Sequence, residues 1–340
     1  MSTVVLDARD AARAMPHGSG IYVARLLEAL GAEVPEGHRL IPLGAPGAAG
    51  RLPEVLVEQL LMPRWLSRRR ADLLHAPDSF LPLRRSCPAV LTVHDLAFLA
   101  LPGDMPARTE AKYRWLVPAA ARSAQRVICP SHFTAEDLVR RCGIDPGRIR
   151  VIPEAAALSQ GTLTPPPGPY LLSAGDLRPK KNLGVLIQAF RRLHAEGLPH
   201  RLILAGADLG RGRALAALAG AAPLELTGFV SDAELDALIR GADAVIVPGL
   251  YEGFGLAALD AMARGRPTVL ADAGALPEVG AHGALYFAPH DPAQLADRLC
   301  GLLGSAEARA HWARAAAARA TQFSWAATAA ATWRVYEELI

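Results

Sequence analysis

The segment at positions 244–265, AVIVPGLYEGFGLAALDAMARG, carries the residues best suited to chemistry. An apolar strand is predicted to end near Val247, Glu252 follows in a loop, and Gly253-Phe254-Gly255 opens a helix that contains Asp260. Glycines let a ligand approach the backbone, and the N–H groups and dipole of a helix start favour an anion. Carboxylates beside that start suit sugar hydroxyls, which donate to them. A glycine turn with Asp260 as a dipole partner would show the same spacing.

A dinucleotide-binding site is a second interpretation of this segment. The pattern Gly253-x-Gly255-x-x-Ala258, with Asp272 about 20 residues later, fits the dinucleotide fingerprint. That fingerprint normally follows the first strand of its domain directly. Here four residues, GLYE, intervene, and the strand is the fourth of its half. The position therefore argues against a dinucleotide.

A basic loop lies in LLSAGDLRPKKNLGVLIQAF, positions 171–190. A predicted strand ends before Arg178, Lys180 and Lys181, and Asn182 is predicted to cap the helix that follows. Positive charge at a strand-to-helix loop suits a diphosphate, although a solvated basic turn has the same composition.

Two further motifs belong to the first half of the chain. LTVHDLAFL (91–99) places His94 and Asp95 at the carboxyl end of an apolar strand, where ligands of parallel sheets bind, although a structural histidine is an alternative. GSGIYVARLL (18–27) places Gly18 and Gly20 before a helix predicted to begin near Ile21, a weak signal by itself.

Short apolar runs alternate with helical stretches twice along the chain, which predicts two parallel α/β sheets. The predicted strands of the first half are Val4–Leu6, Leu40–Leu43, Leu73–His75, Ala89–Val93 and Arg126–Cys129, and those of the second half are Tyr170–Ala174, Arg201–Ala205, Leu224–Leu226, Ala244–Val247 and Thr268–Ala271. The proline-rich segment GTLTPPPGPY (161–170) is the predicted linker. We therefore expect Rossmann-like domains over 1–160 and 161–322, with ligands bound in a cleft that the two domains face.

Composition excludes several classes of protein. Charged residues make up 20% and hydrophobic residues 51% of the 340-residue chain, so wholesale disorder is excluded. The four cysteines are scattered, and the longest uncharged stretch is interrupted by prolines, so a disulfide framework and a membrane helix are not expected. These features predict a soluble cytoplasmic protein.

The net charge of +3 is too small to indicate a nucleic-acid partner. Residues 1–168 carry 20 basic and 16 acidic residues, an excess of +4. This excess includes the run Met62–Arg70, MPRWLSRRR, which suits an anionic membrane surface. A solvated helix face whose arginines pair with Glu54, Glu58 or Asp72 is the alternative.

Taken together, these motifs resemble the retaining sugar transferases of GT-B fold known as glycosyltransferase group 4, and the bacterial mannosyltransferase-like members in particular. The resemblance covers nearly the whole chain, and the ordered set is far more specific than any one motif. The motifs are GSGIY (18–22), VHDL (93–96), PSHFTAEDL (130–138), RIRVIPEA (148–155), GDLRPKKN (175–182), TGFVSDAEL (227–235), EGFGLAALDAMA (252–263) and ALPEV (275–279).

The resemblance implies transfer of a sugar from a nucleotide diphosphate sugar, GDP-mannose or a UDP-sugar, to a polysaccharide or lipid-linked acceptor. It implies retained anomeric configuration and no metal or cofactor. Its implied catalytic residues are His94 near the reacting sugar, Lys181 on the leaving diphosphate and Glu252 on the sugar hydroxyls. The implied substrate-binding residues, besides Lys181 and Glu252, are Gly18, Gly20, Asp95, Lys180, Phe229, Val230, Gly253, Phe254, Gly255, Leu256 and Asp260. The last helix, within 323–340, is expected to pack back on the first domain.

Three positions depart from the family pattern. Asp260 is one methylene shorter than the usual glutamate that contacts ribose, Asp176 replaces a frequent arginine, and Lys180 replaces an arginine. In addition, Glu154-Ala155 stands where Asn-Gly is usual. A GT-B epimerase without an acceptor and an inactive two-domain binding protein are therefore kept as alternatives.

Overall fold

The computed structural model describes residues 1–12, 18–44 and 54–340. The chain folds into two units. The first consists of Met1–Pro102, Pro106–Ala155 and Phe323–Ile340, and the second of Gly103–Met105 and Ala156–Gln322. The chain thus leaves the first unit five residues earlier than the predicted boundary after residue 160.

Each unit is built on a parallel sheet of six strands. The strands are β1 (Ser2–Asp7), β2 (His38–Leu43), β3 (Leu73–Ala76), β4 (Ala89–Thr92), β5 (Arg126–Cys129), β6 (Ile149–Val151), β7 (Tyr170–Ala174), β8 (Arg201–Ala205), β9 (Leu224–Gly228), β10 (Ala244–Val247), β11 (Thr268–Ala271) and β12 (Leu285–Phe287). The first sheet has the order β2-β1-β3-β4-β5-β6 and the second β12-β11-β10-β7-β8-β9. The predicted α/β class with two parallel sheets is confirmed.

Helices connect the strands, as parallel neighbours require. They are α1 (Gly18–Ala32), α2 (Glu54–Leu56), α3 (Met62–Arg69), α4 (Ala97–Ala100), α5 (Ala107–Ser123), α6 (His132–Cys142), α7 (Leu183–Ala195), α8 (Gly212–Ala219), α9 (Asp232–Gly241), α10 (Leu256–Ala263), α11 (Leu276–Gly280), α12 (Pro292–Leu303), α13 (Ala306–Ala320) and α14 (Trp325–Glu337). A π-helical turn, Val57–Leu61, joins α2 to α3. Within the described ranges, none of these helices is long and apolar enough to cross a bilayer.

The start of α1 corrects one sequence prediction. Gly18 and Gly20 were expected to form a loop before the helix, but they form its first turn. Helix N-terminal residues need no acceptor four residues earlier, so glycine costs little there, while the apolar face of Tyr22, Val23 and Leu26 anchors the helix on the sheet.

The two cores determine which strand ends are available to ligands. In the first unit, α1 and α14 cover one face of the sheet with buried residues such as Leu26, Leu30, Trp333 and Tyr336. In the second unit, α7 and α12 pack on the sheet through Leu186, Phe190, Leu295 and Leu299, among others. Because all strands within a sheet are parallel, the loops after their carboxyl ends meet at one edge of each sheet.

Candidate functional site

The edge of the second sheet brings together the two residues that carry the strongest sequence signals. Lys181 Nζ lies 2.8 Å from Glu252 Oε1. Lys181 follows β7 and Glu252 follows β10, which are neighbouring strands. The side chains are only 19% and 9% exposed, so the ion pair is partly shielded from water. An ion pair in this position offers one cation and one hydrogen-bond acceptor within reach of the same ligand.

Two glycines make room for this pair. A Cβ on Gly175, directly after β7, would lie 3.1 Å from Lys181 Cε, so the lysine side chain passes over a residue that has no side chain. A Cβ on Gly249 would lie 2.6 Å from Glu252 Oε1, which excludes any other residue at this position without a shift of the carboxylate. The glycines of GDLRPKKN and of the loop after β10 therefore seat the pair.

The basic loop forms a 3-10 turn, Pro179–Lys181, rather than leading straight into a helix. Asn182 adopts a left-handed conformation with a φ of 51° and makes no side-chain cap; its Nδ2 donates to Pro289 O at 2.7 Å. Asn182 thus occupies the predicted N-cap position of α7, but its side chain does not cap the helix. Lys180 is 8% exposed, and its carbonyl accepts a 2.8 Å hydrogen bond from the N–H of Leu250, which joins the turn to the loop after β10.

Asp260 lies inside α10, where it binds the backbone just before the predicted linker. Its Oδ1 accepts from the N–H groups of Ala157 at 2.8 Å and Leu158 at 3.0 Å. Burial raises the pKa of Asp260 to about 6, an effect opposed by these N–H groups and by the charge of Arg264. The carboxylate thus has a structural task in addition to the ribose contact that the resemblance implies, and that contact stays a prediction.

The remaining predicted residues of the second unit lie at the same sheet edge. Gly255 has a φ of 106° and precedes α10, so the segment Gly253–Leu256 leads into the N-terminus of that helix. Phe254 is buried. After β9, Phe229 is 49% exposed, whereas Val230 packs partly on the core. An exposed aromatic ring at a strand end is available to stack on a planar group.

The first unit places His94 at the equivalent edge of its own sheet. His94 Nδ1 lies 2.9 Å from Glu154 Oε1, and Nε2 lies 2.8 Å from the carbonyl oxygen of Pro77. Burial opposes the charge of His94, but the hydrogen bond and charge of Glu154, the charge of Asp78 and the Pro77 carbonyl raise its pKa to about 9. Both ring nitrogens therefore donate hydrogen bonds within the unit. Asp95 Oδ1 accepts from the N–H of Ala97 at 3.0 Å and fixes the turn into α4.

The role of Glu154 was not predicted from the sequence, in which Glu154 is only a departure from the family pattern. Glu154 is 3% exposed, accepts a hydrogen bond from His94 Nδ1 and raises the pKa of His94 through that bond and its negative charge. It follows β6, a strand that the sequence did not predict. The only available signal was its position after an apolar pair, Val151-Ile152, at the end of RIRVIPEA.

Two family models match adjoining parts of the chain. The model described as Glycosyltransferase Family 4 matches residues 1–159, and the one described as Glycosyl transferases group 1 matches residues 156–319. The chain belongs to these glycosyltransferase families. The resemblance drawn from the motifs is thereby confirmed.

Similar proteins agree with this membership. A D-inositol 3-phosphate glycosyltransferase of Catenulispora acidiphila is 33% identical over 245 residues, and the match covers 64% of this chain and 57% of the relative. The chain thus spans less than two thirds of that relative's length. An O-antigen chain mannosyltransferase B of Escherichia coli is 28% identical over 304 residues, covering 83% of this chain and 79% of the relative. The structure of a sucrose-phosphate synthase from Thermosynechococcus elongatus shares the fold, with a TM-score of 0.76, 21% identity and 99% of both chains covered.

Proposed function

We propose that this glycosyltransferase transfers a sugar, with retained configuration, from a nucleoside diphosphate sugar to a glycan or lipid-linked acceptor. The observation that carries the proposal is the Lys181–Glu252 pair at the edge of the second sheet. A cation is needed where the departing diphosphate gains negative charge, and an acceptor is needed for the hydroxyls of the sugar. The pair provides both groups 2.8 Å apart, beside the backbone of Gly253–Leu256.

In this proposal each residue has a separate task. The bond between the anomeric carbon of the sugar and the diphosphate oxygen breaks, and its electron pair stays on the diphosphate. The hydroxyl oxygen of the acceptor forms the new bond to the same carbon from the same face, and the proton of that hydroxyl passes to the departing diphosphate. Lys181 stabilises that charge, while Glu252 orients the sugar and the segment Gly253–Leu256 contacts sugar and phosphate. Lysines of the basic turn supply positive charge that a divalent cation would otherwise supply, so the proposed reaction needs no metal or cofactor.

The donor is proposed to be GDP-mannose or a UDP-sugar. Mannose is supported by the family likeness and by the name of the Escherichia coli relative, a mannosyltransferase. Phe229, exposed after β9, is the proposed platform for the base. His94 is proposed to lie near the reacting sugar, which requires its Nε2 to exchange the carbonyl of Pro77 for the substrate.

A thermal-shift screen with nucleotides, together with an assay of nucleotide release from the donor, tests the proposal. UDP, GDP or one of their sugars should raise the unfolding midpoint, because a ligand that binds only the folded state stabilises it. Lys181→Ala should raise the activation free energy of turnover by about 2–3 kcal/mol. Because the variant also leaves the buried Glu252 carboxylate without its ion-pair partner, turnover is compared at a temperature at which both proteins are folded. EDTA should leave turnover intact.

Arg213→Ala is the matched control, because it removes an exposed positive charge from α8 in the same unit. It should behave like the wild type. Absence of a shift with every nucleotide would contradict the proposal, as would Lys181→Ala activity within about twofold of wild type. Loss of activity in EDTA with rescue by magnesium would refute the metal-free step.

We further propose that the first unit contacts an anionic membrane surface through the helical stretch from α2 to α3. Three leucines of this stretch are exposed, Leu56 by 43%, Leu60 by 52% and Leu61 by 37%. Arg64, Arg68, Arg69 and Arg70 are also exposed. Apolar side chains beside arginines suit the boundary between acyl chains and anionic headgroups, at about 1 kcal/mol for each basic residue.

The alternative of a solvated face required these arginines to pair with Glu54, Glu58 or Asp72. Glu58 instead lies 3.4 Å from Arg9, and Asp72 accepts from the N–H of Thr3 at 2.7 Å. The side chain of Glu54 lies outside the described residues. Within the stretch itself, Arg64 donates to the carbonyl oxygen of Leu60 at 2.9 Å and the Arg69 guanidinium lies 5.3 Å from the centre of the Trp65 ring. The proposal therefore rests on the exposed leucines and arginines of this stretch.

Vesicle sedimentation tests the membrane contact. The protein should sediment with vesicles of phosphatidylglycerol but not of phosphatidylcholine, and salt should weaken the association. Changing Arg68, Arg69 and Arg70 to Ser should abolish it. Changing Arg211, Arg213 and Arg314 to Ser gives the same net charge from exposed positions of the second unit and should have no effect. Equal recovery in the supernatant with both lipids would contradict the proposal.

A further inference from the structure

Asp104 is a buried carboxylate that belongs to none of the sequence motifs. The three residues Gly103–Met105 group with the second unit, although their chain neighbours on both sides belong to the first. Asp104 Oδ1 accepts a 2.8 Å hydrogen bond from the backbone N–H of Lys180, and Oδ2 forms an ion pair with the guanidinium of Arg178. The side chain of Asp104 is 1% exposed.

These contacts give the turn Pro179–Lys181 the cap that its own sequence lacks. The residue before the turn is Arg178, which makes no side-chain cap. Pro179 has no N–H, and the N–H of Lys181 is already bound to the carbonyl of Arg178 at 3.1 Å. The N–H of Lys180 is thus the donor that needs an acceptor from elsewhere. Asp104 provides that acceptor from 76 residues away in the sequence.

The capped turn is the element that presents the ion pair of the site. Lys181, its last residue, reaches Glu252, and the carbonyl of Lys180 accepts from the N–H of Leu250 in the loop that carries Glu252. The backbone of Lys180 therefore joins Asp104, to which its N–H donates, to the loop that carries Glu252, from which its carbonyl accepts.

We propose that Asp104 is a positioning residue for the donor diphosphate, an inference that rests on the proposed function. It fixes the turn so that Lys180 and Lys181 meet the diphosphate, and it neutralises Arg178 so that this guanidinium stays on the turn. Asp104 touches neither phosphate nor sugar. Its loss should therefore weaken the contribution of the second phosphate while the rest of the nucleotide binds as before.

Calorimetric titration of the full chain with GDP, GMP, UDP and UMP tests this inference. For whichever base binds, Asp104→Ala should weaken the diphosphate about tenfold and the monophosphate less than about twofold. The ratio of the two dissociation constants is the decisive measurement, because a general loss of folded structure lowers both affinities together. Asp104→Asn should recover part of the ratio, since its amide oxygen still accepts from the N–H of Lys180.

The chain offers a matched control in Asp145. Its Oδ1 accepts from the N–H of Gly147 at 2.9 Å and so caps the 3-10 turn Pro146–Arg148 of the first unit in the same way. Asp145→Ala removes a comparable cap and should leave the ratio unchanged. An unchanged ratio in Asp104→Ala would overturn the inference while leaving the proposed function standing. Tighter diphosphate binding in that variant would also overturn it, because Asp104 would then compete with phosphate.

Failure of the proposed function has a different signature. In that case the wild-type protein binds none of the four nucleotides, and the inference about Asp104 falls with it. If Asp104→Ala is unfolded by circular dichroism, Asp104→Leu takes its place, because leucine keeps a similar side-chain volume and has no acceptor. A ratio equal to wild type and to Asp145→Ala in that variant would count against positioning.

Discussion

His94 shows how one neighbour changes what a residue can do. The motif VHDL places a histidine at a strand end, and the structure places it there. The sequence could not show that Glu154, 60 residues later, would hold its Nδ1. A protonated ring that donates at both nitrogens cannot accept a proton, so His94 in this arrangement acts as a hydrogen-bond donor and not as a general base.

The stability of the first unit should therefore decrease as the pH rises above 6.5. The pKa of His94 is about 9 in the folded chain, against an ordinary value of 6.5. The folded state thus binds the proton more tightly, and the stabilisation is complete below pH 6.5 and is lost as the pH rises through about 9. Within this window the free energy of unfolding should fall by at most about 1.4 kcal/mol per pH unit.

Urea unfolding between pH 6.5 and 9 measures this dependence in wild type and in Glu154→Gln. The variant should show a flatter profile, because its amide cannot offer the negative charge that raises the pKa. Glu28→Gln, a change to an exposed carboxylate paired with Arg25, is the control and should keep the wild-type slope. Equal slopes in wild type and Glu154→Gln would show that Glu154 does not hold the proton on His94.

At the scale of elements, the sequence predicted the central strands well because their burial leaves a clear pattern. Arg126–Cys129, Tyr170–Ala174, Arg201–Ala205, Ala244–Val247 and Thr268–Ala271 begin and end as predicted. Each is a run of four or five residues that is apolar and buried over most of its length, as expected for a strand between covered faces of a parallel sheet. Two of them begin with a partly buried arginine, Arg126 and Arg201.

The two strands that were not predicted from the sequence are outermost strands of their sheets. Ile149–Val151 pairs only with β5, and Leu285–Phe287 only with β11. Both are three residues long, too short for a periodic signal, and long-range pairing decides their conformation. Missing β6 also hid a residue of the site, because β6 leads directly to Glu154. The contacts of Asp104 and Asp260 could not be predicted from the sequence for the same reason, because each contact joins residues that are 76 or about 100 positions apart.

At the scale of the whole molecule, the chain builds its first unit from both termini. It leaves this unit after Ala155 and returns at Phe323, and α14 then packs on α1. Glu338 forms ion pairs with Arg126 on β5 and Arg150 on β6, at 2.6 and 2.7 Å. The first unit is therefore complete only when the last residues of the chain are in place.

Substitution of Trp333 tests whether the first unit depends on α14 for its stability. It lies on α14 and is 4% exposed, its Nε1 lies 3.4 Å from the carbonyl oxygen of Leu30, and its ring contacts Tyr336 edge to face at 5.1 Å. Trp333→Ala should destabilise the first unit by about 3–5 kcal/mol, as expected when a large buried aromatic is removed. Hydrogen exchange followed by mass spectrometry should show faster exchange in peptides of residues 1–102 and 106–155, with peptides of 156–322 unchanged. Trp115→Ala is the control, because Trp115 lies on α5 of the same unit and is 68% exposed; it should change stability by no more than about 0.5 kcal/mol. Uniform acceleration of exchange in both units would show that α14 stabilises the whole chain and not the first unit alone.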